Sequence, residues 1–309
     1  MTRVLTLVGA LALAAVAFAA SFDYGLEPRK IADGTYVLIG RTEDFSVANG
    51  GNIVNVGFIV TSAGVVVIDT GPSKRYGEQL RSAIRKVTDR PVVKVVNTHF
   101  HPDHFLGNQV FSDVGVAALP ATIQGIQTMG GPLVDNMYRM CGDWEAGTEP
   151  AVPARAQADG VEQIGDHEFE FLALAGHTKG DLAVFDRTTG VLFAGDLVFF
   201  DRAATTPHAN IGVWLAALER LQSVPYKQLV PGHGPVVSDA RAIKQTRDYL
   251  TWLEATLQRA AETGQDMTEV MATPIPQRFA TLPLVDHEFS RSVTHLFPAL
   301  EQQVLGARK

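Results

Sequence analysis

Cysteine is nearly missing from this chain of 309 residues: the lone Cys141 permits no intramolecular disulfide. With Met140 and Gly142 beside it and no catalytic-cysteine pattern, it reads as an inert, partly buried thiol. Stability must come from packing or from a bound ion, and an apolar share of 46% supplies a sizeable core. Basic charge is scarce as well. With 26 Lys and Arg against 33 Asp and Glu, the formal net charge of −7 offers no footprint for a nucleic-acid backbone, so a nucleic-acid partner is not expected. Beyond the first twenty positions no apolar run approaches the ~20 residues that span a bilayer. Long linkers, low-complexity tracts and blocks of like charge are lacking too.

What is there begins with a different kind of segment. Arg3 precedes an almost wholly apolar run from Val4 to Phe18, and Ala17-Phe18-Ala19 has the small-x-small form of a cleavage site. Residues 1–19 therefore read as a secretory signal peptide, too short for a membrane anchor, and the protein is expected to be exported to a bacterial periplasm. Residues 20–309 read as a single domain.

Within that domain the same order of elements occurs twice. Gly57–Val60 and Gly64–Ile68 suggest a hairpin ending at Asp69, followed by a helix capped by Ser73 and a buried strand, Val92–Val96, that delivers His99. Leu182–Phe185 and Val191–Ala194 suggest a second hairpin ending at Asp196, followed by a helix over Val213–Leu221 and a short strand, Gln228–Val230, that delivers His233. Two similar halves, each placing a carboxylate and an imidazole at strand ends, would face one shared groove. Ser238 or Asp239 is expected to cap a further helix that stops at Gly264, and Glu288–Leu305 reads as another. The stretch from Gly130 to Pro153, rich in Gly, Pro and polar residues around Trp144, reads as an insertion or long loop.

The chemistry concentrates in Asn97-Thr98-His99-Phe100-His101-Pro102-Asp103-His104. Neutral imidazole and carboxylate are preferred ligands of zinc and similar borderline ions. In an extended loop His99 and His101 point the same way and can grip one ion, while Asp103 and His104 turn toward a second and Pro102 stiffens the turn between them. A structural cluster is the weaker reading, because imidazoles packed this closely repel on protonation and gain little without a metal. Gly176-His177, Asp196 after a buried strand, and Pro231-Gly232-His233-Gly234 are each weak signals. Joined to the first string they make five histidines and two aspartates, enough for two metals bridged by Asp196.

This His-x-His-x-Asp-His loop, followed at intervals by His, Asp and His, resembles the signature of the metallo-β-lactamase superfamily, and the resemblance extends over nearly all of the mature chain. It implies an α/β (α+β) fold, a four-layer αββα sandwich with two pseudo-symmetric halves. It implies that His99, His101 and His177 hold one Zn2+, that Asp103, His104 and His233 hold a second, and that Asp196 bridges them. Asp69, in its Asp-Thr-Gly turn, resembles the carboxylate that orients ligands without binding the metal. Many true β-lactamases carry Cys or Ser where Asp196 stands, and aspartate is similar to the hydroxyacylglutathione hydrolase and lactonase branches. The leader, the stretch from Asp44 to Asn55 and His295-Leu296-Phe297-Pro298 resemble the quinoprotein relay system zinc metallohydrolases, which implies a setting beside a periplasmic quinoprotein dehydrogenase.

The expected activity is hydrolysis of a small-molecule ester, thioester, lactone or amide-like carbonyl by water that the metals activate, with Asp103 orienting that water and taking its proton. Asp44–Asn55 is expected to form a flexible flap over the groove, and Arg202, His208 and Asn210 are candidates for anchoring a polar substrate group. β-Lactam hydrolysis, a mono-iron sulfur or oxygen dioxygenase on the same fold, and a non-catalytic binding module are the alternatives, with iron or manganese as alternative metals. Di-iron relatives carry Glu at the position of His101, which argues against electron transfer.

Overall fold

The computed structural model describes residues 22–307, so the expected signal peptide, 1–19, lies outside the described residues. Two sheets form the centre. The first runs in sequence order through β1 (Arg29–Ala32), β2 (Thr35–Leu38), β3 (Val56–Val60), β4 (Val65–Ile68), β5 (Val92–Val96), β6 (Val116–Ala118) and β7 (Arg155–Ala156). The second has the order β12 (Gln228–His233), β11 (Val191–Phe199), β10 (Asp181–Asp186), β9 (His167–Leu174) and β8 (Gly160–Ile164).

The inner strands are apolar on both faces because each face is covered. Alternate side chains sort between two layers of core. Ile59, Val66, Ile68 and Val96 meet Phe169, Phe171, Leu182, Val184 and Phe193 between the sheets. Their neighbours Phe58, Val65 and Val67 turn outward onto helix α1 (Lys74–Val87), which buries Tyr76, Leu80, Ala83 and Ile84. Ala183, Phe185, Leu192 and Ala194 turn outward the other way, onto α4 (Ile211–Gln222), α5 (Arg241–Thr263) and α7 (Val285–Ala307). The result is a four-layer αββα sandwich. Between them lie α2 (Pro102–Phe105) and α3 (Pro120–Cys141), and α6 (Met267–Met271) precedes α7.

The repeat is present in the topology. The hairpin β3–β4 is antiparallel, and β4 then pairs in parallel with β5 after α1. The hairpin β10–β11 is likewise antiparallel, and β11 pairs in parallel with β12 after α4. Ser73 caps α1 by accepting from the Tyr76 amide, and Gly264 ends α5 in the left-handed conformation.

Several sequence expectations are corrected. The supposed loop after Gly130 is helix as far as Cys141 and then a 3-10 turn over Gly142–Glu145. Ile126, Met137 and Cys141 share a buried cluster with Phe100, Phe105 and Leu106, and that packing outweighs the poor helix propensity of Gly130, Gly131 and Pro132. Helix α5 begins at Arg241 with Ala240 at its cap, while Asp239 pairs with the Arg241 guanidinium instead. Strand β11 does not stop before Asp196 but runs on to Phe199, with a register break on either side of Gly195. The segment from Asp44 to Asn55 is tied down rather than free. Asn49 accepts from the Ser46 and Gly51 amides and donates to the Asp44 carbonyl, and the Trp144 indole donates to the Val47 carbonyl at 2.9 Å.

The 3-10 turn buries Glu145, neither of whose carboxylate oxygens has a hydrogen-bond partner among the described residues. Burial pushes its carboxyl from an ordinary value of 4.5 up to about 8. The folded protein therefore keeps this proton while the unfolded chain releases it, and stability falls as pH rises through that window. We predict that Glu145→Gln removes this loss: the urea midpoints of variant and wild type should coincide near pH 4 and diverge between pH 4.5 and 8, the variant being the more stable.

Candidate metal centre

Four chain segments converge at one end of the two sheets. β5 leads into Asn97–His104, and Pro102 at the first position of α2 turns Asp103 and His104 inward. His177 follows β9, the register break in β11 aims Asp196, and β12 ends on His233. Gly232 is required here because a Cβ would lie 1.9 Å from Asp196 Oδ1.

All seven side chains of the expected ligand set come together, in two groups. One donor atom from each of His99, His101, His177 and Asp196 lies within 4.8 Å of the others, and Asp103, His104 and His233 form a second group on the same criterion. His177 Nε2 is 2.8 Å from His101 Nδ1 and 3.3 Å from Asp196 Oδ2. His233 Nε2 is 3.4 Å from Asp103 Oδ2 and 3.3 Å from Asp196 Oδ2. His104 Nε2 is 3.1 Å from Asp196 Oδ1. Ligands at ~2.0–2.1 Å around one tetrahedral ion stand about 3.3 Å apart, so these spacings suit a shared cation.

The unpaired atoms support the same fit. His99 Nε2 and Asp103 Oδ2 are buried and make no hydrogen bond among the described residues, and His104 Nε2 and Asp196 Oδ1 have only each other, 3.1 Å apart. Atoms of this kind are rarely left unpartnered in a native interior. The outer nitrogens of His99, His104 and His233, in contrast, are anchored, whereas His177 Nδ1 has no partner among the described residues. Asp69 Oδ2 lies 2.7 Å from His104 Nδ1, and the same carboxylate accepts from the Thr98 amide and hydroxyl. The Thr98 hydroxyl also lies 3.0 Å from His99 Nδ1, and the Ile53 carbonyl lies 2.8 Å from His233 Nδ1. Such partners fix which ring nitrogen offers its lone pair inward.

Charge follows from the packing. Burial, then the neighbouring imidazoles, hold His99 and His101 well below the ordinary histidine range, and burial does the same for His177, so all three are neutral donors. Burial opposes ionisation of Asp196, but His233, His104 and His99 together hold its carboxyl well below the usual range. Burial also opposes protonation of His104, yet the carboxylates of Asp196, Asp103 and Asp69 raise it well above its ordinary value. The space among these groups favours a cation.

The three proposed substrate residues are placed differently from one another. Arg202 is buried beside the centre, 3.5 Å from Glu288, with Nε and Nη1 lacking partners. His208 touches the ligand set itself, its Nδ1 lying 2.8 Å from His101 Nε2. The Asn210 side chain caps α4 by accepting from the Val213 amide. His167, in contrast, pairs with Asp186 at 3.0 Å, outside both ligand groups.

Sequence reasoning missed the braces. Asn55 donates to the carbonyls of Pro231 and Gly234 and so holds the turn that presents His233. Asn97 and Asn108 bond one another behind α2, and Asp181 accepts from the Thr178 amide and hydroxyl next to His177. A buried Asn or Asp near a ligand string was the available signal, but it does not name its partner.

The family model described as the metallo-beta-lactamase superfamily matches residues 49–233. The linear primary-alkylsulfatase of Pseudomonas sp. (strain ATCC 19151) is 22% identical over 291 residues, 79% of this chain but 54% of the alkylsulfatase, so the chain spans about half that relative's length. The acyl-coenzyme A thioesterase MBLAC2 of Gallus gallus is 27% identical over 223 residues, 65% of this chain and 79% of the thioesterase. The solved structure of a metallo-beta-lactamase from Pontibacter korlensis is similar at a TM-score of 0.58 and 25% identity, covering 73% of this chain and 99% of that one. With the family model covering more than half of its length, and both ligand strings inside that match, this chain belongs to the metallo-beta-lactamase superfamily.

Proposed function

We propose that the protein is a zinc hydrolase acting on a thioester or closely related ester of a small molecule, with His99, His101 and His177 holding one ion, Asp103, His104 and His233 a second, and Asp196 shared. The convergence of seven donor side chains, with the buried His99 Nε2 and Asp103 Oδ2 lacking a hydrogen bond among the described residues, carries this reading. Bound zinc supplies a Lewis acid and lowers the pKa of water from about 15.7 toward 7. The chain's own groups do the rest. Asp103, in the second ligand group, orients the attacking water and takes its proton. Arg202, which lines the same small cavity beside Glu288, binds the polar end of the substrate. The two relatives named above are, by their names, a sulfatase of linear alkyl compounds and a thioesterase of acyl compounds, which favours a scissile head group on a chain over a β-lactam.

An exported, periplasmic setting next to a quinoprotein dehydrogenase is part of this proposal and rests on residues 1–19 and on the His295-Leu296-Phe297-Pro298 stretch. Cell fractionation checks it: recovery of the intact, uncleaved chain in the cytoplasm speaks against export.

We predict that chelation abolishes hydrolysis of an acyl thioester and that zinc restores it. Elemental analysis should find two ions per wild-type chain, and oxygen uptake should be nil. His101→Ala should lose activity irreversibly, and Gly232→Ala should lose metal although it removes no donor atom. Full turnover by metal-free protein sinks the reading. His208→Ala should weaken metal affinity about 10- to 100-fold, because it removes the partner of the outer nitrogen of His101. An unchanged metal affinity with a raised KM assigns His208 to the substrate instead.

A further inference from the structure

Next to the metal centre lies a second and much larger cavity. The space directly above the ligands is about 100 Å³, bounded by Asp103, Asp196 and His233 among others. The neighbouring groove is about 770 Å³, lined by the start of α3, the segment 207–212, α5 and α7. Pockets that enclose whole small ligands run about 300–1,000 Å³, so the metal cavity has room for a reacting bond and little else. The two adjoin: Pro207 and His208 form part of both walls. The His208 ring lies 5.1 Å from both the His101 and the Phe100 rings, and Phe100 forms part of the larger groove.

The lining of the larger groove is mixed: Phe100, Met129, Ile211, Leu257, Leu296 and Leu300 give it an apolar part, and polar side chains, among them Gln124, Lys179, Glu254 and His295, stand between and around them. Small residues keep it open. Gly125 lies against Phe100 so closely that a Cβ would stand 2.7 Å from the ring. Ala299 on α7 is exposed to the groove, whereas a larger side chain there would fill it.

We propose that this groove holds the unbranched acyl chain of the substrate, with His208 and Pro207 marking the point where the chain passes from the metal cavity into the groove. The proposal rests on the hydrolase reading above and deepens it by naming the substrate class, a medium- to long-chain acyl thioester. Water adds to the carbonyl, the carbon–sulfur bond breaks, the thiol leaves with a proton and the carboxylic acid keeps the chain in the groove. The product acid should therefore bind in proportion to its chain length, independently of turnover.

The test uses the zinc-loaded protein, a series of N-acetylcysteamine thioesters from acetyl to dodecanoyl, and calorimetric titration with acetate and decanoate. Burial of a methylene is worth up to about fourfold in binding, and a half-open groove yields part of that, so kcat/KM should rise on the order of 30-fold or more from acetyl to decanoyl. Ala299→Trp should flatten the series and weaken decanoate binding, and Met129→Glu, at a second exposed position, should do the same. Turnover of acetyl and decanoyl thioesters at equal rates, with no decanoate binding above that of acetate, overturns the groove assignment and leaves the hydrolase reading intact. If no thioester of any length is cleaved, the hydrolase reading fails. Decanoate binding that Ala299→Trp weakens would still support the groove in that case, and its absence would overturn both.

Discussion

Buried imidazoles and carboxylates crowded to within about 3 Å of one another are what the rest of this molecule has to accommodate. His101 Nδ1 and His177 Nε2 stand 2.8 Å apart, and Asp196 places both its oxygens among four imidazoles. Each unpaired buried polar group costs about 1–3 kcal/mol, so the arrangement can persist only if the surroundings are stable without it. The surroundings answer in two ways. The strands beneath are apolar on both faces, which places the stabilising burial between the sheets and under the helices rather than at the strand ends. Three of the four ligand segments are also held from behind by hydrogen bonds that do not involve their inward atoms: Asp69 and Thr98 for one loop, Asp181 for the turn at His177, Asn55 for the turn at His233. A cation then finds its donors already oriented, with the imidazoles of His99, His101 and His177 kept neutral by desolvation.

Much of this was legible from the residues. The hairpin at β3–β4, the cap at Ser73, the second hairpin and the doubled order of elements all follow from local patterns of apolar and turn residues. The ligand loop is equally local, since four of its donors fall within six positions, from His99 to His104. Features that depend on distant partners were not legible. Helix α3 runs through Gly130, Gly131 and Pro132 because its far face packs on Phe100 and Phe105, which no window around Gly130 contains. Asn55 looked like the end of a loose segment, yet its side chain meets residues 176 and 179 positions away. Arg202 was read as a groove residue without its burial against Glu288, and His208 without its contact to His101.

The division of space at the site separates two tasks. On the proposed reading, the cavity of about 100 Å³ above the donors takes the reacting bond, and the groove of about 770 Å³ beyond His208 offers a partly apolar lining in which specificity can vary without touching a ligand. In a superfamily defined by a shared ligand loop, the outer helices are free to shape that second space. Here α5 and α7 do so, and both lie beyond residue 233, where the family match ends.

The tie between Asn55 and the Pro231–Gly234 turn has a consequence for how the molecule comes together. The last donor, His233, owes its pose to a carbonyl and a side chain from the opposite half: Ile53 accepts its Nδ1 proton, and Asn55 clamps the backbone on either side. Neither half can therefore assemble a complete coordination shell by itself, however alike the two are in topology. Metal capture becomes a late event in folding, a readout that the seam between the halves has closed, and an ion bound across that seam resists its reopening in proportion to its affinity.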